Sequence, residues 1–213
     1  MRIVLWDTNH NDVQKDYAGG MGTGLYRGRG DLRDWLIAQG YQRDRRPVAL
    51  NFAYLGGVFR QLGHSVQYVC DEFPPEADLY VFNPALMSLG FEHQMMQKLL
   101  TARPEAQIIV TGPIAYALPE SFADLPVKVV RGEAEMLLWK LDEVLSHKEQ
   151  AVSVGSVKDL DALPQPDWSL FDYKKFRIKY DFWKFPTALV QLSRGCTFTC
   201  NYCLLYTSPS PRD

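Results

Sequence analysis

The stretch Asp78–Pro113, DLYVFNPALMSLGFEHQMMQKLLTARPEAQIIVTGP, decides the fold. It opens with a short apolar run, Asp78-Leu-Tyr-Val-Phe82, closed by the turn pair Asn83-Pro84. Phe91 to Ala102 then carries a helical pattern whose apolar face is Met95, Met96, Leu99 and Leu100. A second apolar run, Ala106-Gln-Ile-Ile-Val110, opens into Thr111-Gly112-Pro113. Strand, helix and strand in this order pair in parallel through a right-handed crossover.

The same alternation extends both ways. Upstream, Arg2-Ile-Val-Leu-Trp6 runs into Asp7, and Ser65-Val-Gln-Tyr-Val-Cys70 is ended by Asp71 and Pro74-Pro75. Between them Val48, Phe52, Leu55, Phe59 and Leu62 recur at helical spacing, with Pro47 at the start and Gly63 at the end. Downstream, Val127-Lys-Val-Val130 leads into Arg131-Gly132-Glu133 and a helix over about 134–145. Strands this apolar belong in a sheet covered on both faces. Residues 1–148 therefore read as one doubly wound, parallel-sheet α/β domain of Rossmann-like type. Asn9 to Gly30 is a long polar insertion rich in glycine, with no true G-x-G-x-x-G and no following P-loop lysine.

From Ala151 the rhythm breaks. Residues 149–186 read as a linker, with Pro164 and Pro166 favouring extended backbone and an aromatic, lysine-rich run from Phe171 to Phe185. Thr187-Ala-Leu-Val-Gln-Leu192 then starts a new strand, so residues 187–203 read as the beginning of a second domain. The net charge of −2 gives no electrostatic case for nucleic-acid binding. No run approaches the roughly 18–20 apolar residues of a membrane span, and no secretory leader is visible. A cytoplasmic location is expected. Of four cysteines, three crowd into positions 196–203, which in that compartment points to metal rather than to disulfides.

Those three form Arg194-Gly195-Cys196-Thr-Phe-Thr-Cys200-Asn-Tyr-Cys203, a C-x3-C-x2-C spacing directly after a strand. Three thiolates hold three irons of a four-iron cluster and leave the fourth open to another ligand. A structural zinc site, one alternative beside a chance grouping of cysteines, needs a fourth Cys or His, and none follows Cys203.

The string closely resembles the signature of the radical SAM superfamily. That resemblance implies a [4Fe-4S] cluster on Cys196, Cys200 and Cys203, with S-adenosylmethionine chelated to the open iron and Tyr202 beside its adenine. It also implies that an electron from the cluster breaks the sulfonium S–C bond and releases a 5′-deoxyadenosyl radical. The strand before Gly195 would open that family's partial TIM barrel. Val110-Thr-Gly112-Pro113 with Ala117-Leu-Pro-Glu120, then Val129-Val-Arg-Gly132-Glu133, then Leu163-Pro-Gln-Pro-Asp-Trp168, resemble cobalamin-binding domains fused to such barrels. These domains take ligands at the carboxyl ends of their strands, which here carry Asp7, Asn83, Ser88, Gly112 and Gly132. For each of these, simple turn chemistry is the competing explanation. Asp7-Thr-Asn-His10-Asn-Asp12 departs from the D-x-H-x-x-G of other cobalamin domains, so no lower histidine ligand is evident.

Residues 204–213 match the translation of a common transposon-based sequencing adapter, and the adapter's preceding codon also encodes cysteine, which leaves the origin of Cys203 open. The expectation is therefore a fragment of a radical SAM enzyme whose barrel is missing. The fragment would be inactive, while the full parent would carry out radical methylation, cyclisation or rearrangement. Its partners would be a small-molecule substrate and an electron donor of flavodoxin or ferredoxin type. Two alternatives stand beside it: a radical SAM protein whose Rossmann-like domain does not bind cobalamin, and a plain ligand-binding α/β module.

Overall fold

Successive side chains of a strand point to opposite faces, and the first strand shows what that does here. In β1 (Arg2–Asp7) Ile3 and Leu5 enter one core while Val4 and Trp6 enter the other. The computed structural model describes residues 1–8, 13–15, 23–24, 32, 49–70, 72–172 and 190–191. After β1 come a two-residue antiparallel ribbon, β2 (Val13–Gln14) with β3 (Thr23–Gly24), and helix α1 (Leu50–Gln61). The chain continues through β4 (Ser65–Cys70), β5 (Leu79–Phe82), α2 (Leu89–Ala102), β6 (Gln107–Val110) and the short α3 (Pro113–Ala117). It closes with β7 (Lys128–Gly132), α4 (Leu137–Ser146) and β8 (Ala151–Gly155).

Six strands form one sheet in the order β4-β1-β5-β6-β7-β8, and every pairing is parallel. Helices cover both faces. On one, α1 and α4 bring Phe52, Leu55, Phe59, Leu138 and Leu141 against Ile3, Leu5, Val81 and Val130. On the other, Met96 and Leu99 of α2 and Ile114 of α3 meet Val4, Trp6, Phe82 and Val110. Each fully buried side chain of this size stabilises the fold by about 1.5–3 kcal/mol relative to exposure. The expected doubly wound α/β architecture is present.

The chain leaves β1 for β4 on one side and then crosses to β5 on the other, so β1 and β5 flank the point where strand order reverses. In sheets of this kind the crevice at the carboxyl ends of those two strands is the ligand position.

Residues 151–155, where the sequence pattern loses its rhythm, are the sixth strand. Val152 and Val154 point inward while Ser153 and Gly155 are exposed. An edge strand covered on one side alternates in this way and lacks the continuous apolar run that marks its buried neighbours. The segment after it, expected to be extended, carries two 3-10 turns, Leu160–Ala162 and Trp168–Leu170, on either side of its prolines, and it is seated on the domain: Val157, Leu163 and Phe171 are buried. The strand expected over 187–192 lies outside the described residues apart from positions 190–191, and so does the glycine-rich loop apart from residues 13–15 and 23–24. No helix among the described residues is long and apolar enough to cross a membrane.

Candidate functional site at the strand-order switch

Asp7 ends β1 and Thr8 follows it; both are buried at the switch. From the insertion beyond them Lys15 turns back, its side chain only 1% exposed. Its ammonium lies 3.3 Å from Asp7 Oδ1 and 3.0 Å from Glu92 Oε2, and it donates to Thr8 Oγ1 at 3.2 Å. Glu92, in the first turn of α2, also accepts from the Thr8 hydroxyl at 2.9 Å, the Ser88 hydroxyl at 2.7 Å and the Ala85 N–H at 3.2 Å. Tyr68 of β4 donates its hydroxyl to Asp7 Oδ2 at 2.6 Å. The ammonium thus donates to Thr8 and Glu92 and is ion-paired with Asp7, and both Glu92 oxygens are engaged.

Two carboxylates face one ammonium here, away from water. Burial alone would lower the Lys15 pKa, but Glu92 and Asp7 outweigh it and hold the ammonium above its usual 10.5. Burial pushes the Glu92 carboxyl above its usual 4.5, against the opposing pull of Lys15 and the Ser88 and Thr8 hydroxyls. The cluster carries a net negative charge when all three groups are ionised, and the burial of Glu92 works against that charge.

Of the strand-end residues picked out from sequence, Asp7 and Ser88 are members of this cluster. Gly112 (φ +90°) stands at the carboxyl end of β6, where a Cβ would overlap the Asn83 carboxamide oxygen. Gly132 (φ +128°) lies at the far side of the sheet, where a Cβ would run into the Gly155 carbonyl across a β7–β8 irregularity. The adjoining Glu133 donates its N–H to that carbonyl and accepts from the Val157 N–H through Oε2 at 2.7 Å. The Arg131-Gly132-Glu133 turn therefore ties the sheet to the segment that follows it. Asn83 is 4% exposed and its carboxamide lies directly against the Gly112 backbone.

These observations bear on cobalamin. Asp7 is held by Tyr68 and paired with Lys15, Ser88 donates to Glu92, and the space beside Gly132 is filled by backbone. Asn83 stands at the carboxyl edge with its carboxamide against the Gly112 backbone. Cys196, Cys200, Cys203, Tyr202 and His10 lie outside the described residues. Among the described residues no group of three His, Cys, Asp or Glu side chains is placed to hold a metal.

Sequence reasoning missed Lys15, Thr8 and Glu92. Lys15 and Glu92 are 77 residues apart, and nothing local marks either as the other's partner. The available signal was Ser88 and Glu92 at i, i+4 around a helix start, with the glutamate on a turn that is otherwise apolar. His93, which shows no partner in the sequence, lies 2.6 Å through Nε2 from the Ser121 carbonyl and stacks on Phe122.

No family model and no solved structure matches the chain. Among curated proteins it is similar to the anaerobic magnesium-protoporphyrin IX monomethyl ester cyclase of Synechocystis sp., with 28% identity over 72% of this chain. It is also similar to the threonylcarbamoyladenosine tRNA methylthiotransferase MtaB of Rickettsia prowazekii, with 24% identity over 59% of this chain. Both distant relatives are radical SAM proteins. The chain spans 37% of the length of the first and 27% of the second.

Proposed function

We propose that this chain is the front part of a radical SAM enzyme, with a Rossmann-like cofactor or substrate domain at residues 1–148 and the linker and cluster loop behind it. The observation that carries the reading is the Arg194-Gly195-Cys196-x3-Cys200-x2-Cys203 string, supported by similarity to two radical SAM proteins. Cys196, Cys200 and Cys203 would hold three irons of a [4Fe-4S] cluster, and Tyr202 would sit beside the adenine of S-adenosylmethionine. When bound, the cluster supplies the electron that cleaves the sulfonium S–C bond. The donor set suits this role, because three thiolates leave one iron open.

Cobalamin is the proposed ligand of the first domain, with the Asn83 carboxamide and the Gly112 backbone as its contacts at the carboxyl edge. The buried, ion-paired Lys15 cluster that fills the switch favours a second reading, in which the domain binds no corrin and serves to seat a substrate or another part of the protein.

Anaerobic reconstitution of the chain with iron and sulfide tests the first claim. About four irons per chain are expected, falling sharply in Cys196→Ala and Cys200→Ala. Zinc uptake in place of iron, or iron content unaffected by these substitutions, would overturn it. Titration with hydroxocobalamin tests the second: saturable binding that Asn83→Leu abolishes supports the corrin reading, and no binding leaves the docking module.

A further inference from the structure

The segment between the two domains is seated on the first one. Its backbone crosses α1 where that helix carries Gly56 and Gly57, both buried. A Cβ on Gly57 would overlap the Gln165 carbonyl oxygen, and one on Gly56 would overlap Leu170 Cδ1. The two glycines therefore clear a notch that the crossing chain fills. Asp167 fastens it: its N–H donates to the Ala53 carbonyl at 2.8 Å, and its Oδ2 lies 2.5 Å from Arg60 Nε. Its Oδ1 accepts from the Ser169 N–H at 3.1 Å and the Ser169 hydroxyl at 2.6 Å. Beyond the notch Phe171 is buried against Tyr68, ring centroids 4.6 Å apart, and Tyr68 in turn holds Asp7.

We propose that residues 163–171 are a docking strap whose seat is the Gly56–Gly57 notch of α1. The strap fixes where the cysteine-bearing segment leaves the domain, beside Tyr68 and the Asp7–Lys15 cluster. A free tether would leave glycine in mid-helix with no benefit, since each glycine there costs about 1 kcal/mol relative to alanine. The close approach of Gln165 and Leu170 is what requires them. The proposal does not depend on what the cysteines bind, so it stands or falls separately from the radical SAM reading.

Hydrogen exchange on the 213-residue chain tests it. The amides of Asp167 and Ser169 should exchange at least about tenfold more slowly than unprotected amides. In Gly57→Ala that protection should be lost, while β1, β5 and β6 keep theirs. Gly90→Ala, in α2 where a Cβ meets nothing within 4 Å, should leave the strap protected. If Gly57→Ala unfolds the sheet, Asp167→Ala decides from the strap's own side, again with loss confined to the strap expected. Unprotected strap amides in the wild type would overturn the proposal. So would wild-type protection in Gly57→Ala or Asp167→Ala, or unfolding of the whole sheet by both.

Discussion

Lys15 and Gly112 are the residues whose substitution should be most informative. Replacing Lys15 with Met leaves Asp7 and Glu92 buried without their cation, which for a buried pair costs about 3–5 kcal/mol. The cost should depend on pH in a definite direction. Without Lys15 the Glu92 carboxyl rises further above its ordinary value of 4.5. A raised carboxyl favours the folded state below the unfolded value, and that contribution is lost as pH rises through the folded one. Urea melts should therefore show a larger Lys15→Met penalty at pH 8 than at pH 5; equal penalties would mean that Glu92 does not take up the proton. In the wild type, Lys15 itself stabilises fully below about 10.5, and its contribution is lost as pH climbs past its raised folded value. At Gly112 an added Cβ meets both a positive φ and the Asn83 carboxamide. Gly112→Ala should cost about 1–3 kcal/mol, of which Asn83→Ala in the same chain restores the steric part but not the backbone part.

At the scale of elements, the parts legible in the sequence were those with one environment along their length. β5, buried at all four positions, and β6, buried at three of four, read directly as apolar runs. α2 read through Met96 and Leu99. β8 escaped because an edge strand is half polar, and its two inward valines do not make a pattern until the neighbouring β7 is known. The strap escaped for a related reason: Pro164 reports the extended backbone of Leu163 before it, but neither proline says anything about what the chain lies on. The glycines of α1 and α2 separate the two effects that a helical glycine can have. Gly90→Ala should raise stability by about 0.5–1 kcal/mol, as propensity alone dictates. Gly57→Ala should show no such gain in a thermal melt, because the Gln165 carbonyl occupies the space that the methyl needs. A gain of the same size at both sites would show that the notch is empty.

For the whole molecule, the sheet and the strap make residues up to 172 interdependent. A chain ending at residue 148 lacks β8, the Val157 tie to Glu133 and the cover that Phe171 gives Tyr68. Its melting temperature should fall well below that of a chain ending at residue 172, and a dye that reports exposed apolar surface should bind it. Equal melting temperatures would show that the sheet closes without its last strand. The site was legible to a similar degree. Asp7, Asn83 and Ser88 were marked by their place at strand ends, whereas Lys15 and Glu92 became visible only once the fold brought residues 77 apart together.

The central position of β1 also has a consequence in time. Of the six strands of this sheet it leaves the ribosome first, yet its two neighbours begin at Ser65 and Leu79. At about 5–20 residues per second, Ile3 to Trp6 emerge several seconds before either flank exists. During that interval four apolar residues destined for the middle of the sheet stand open to water, to other nascent chains and to chaperones. A strand made well before both its flanks must wait for them, so the yield in a cell should respond to translation speed more than the finished stability would suggest.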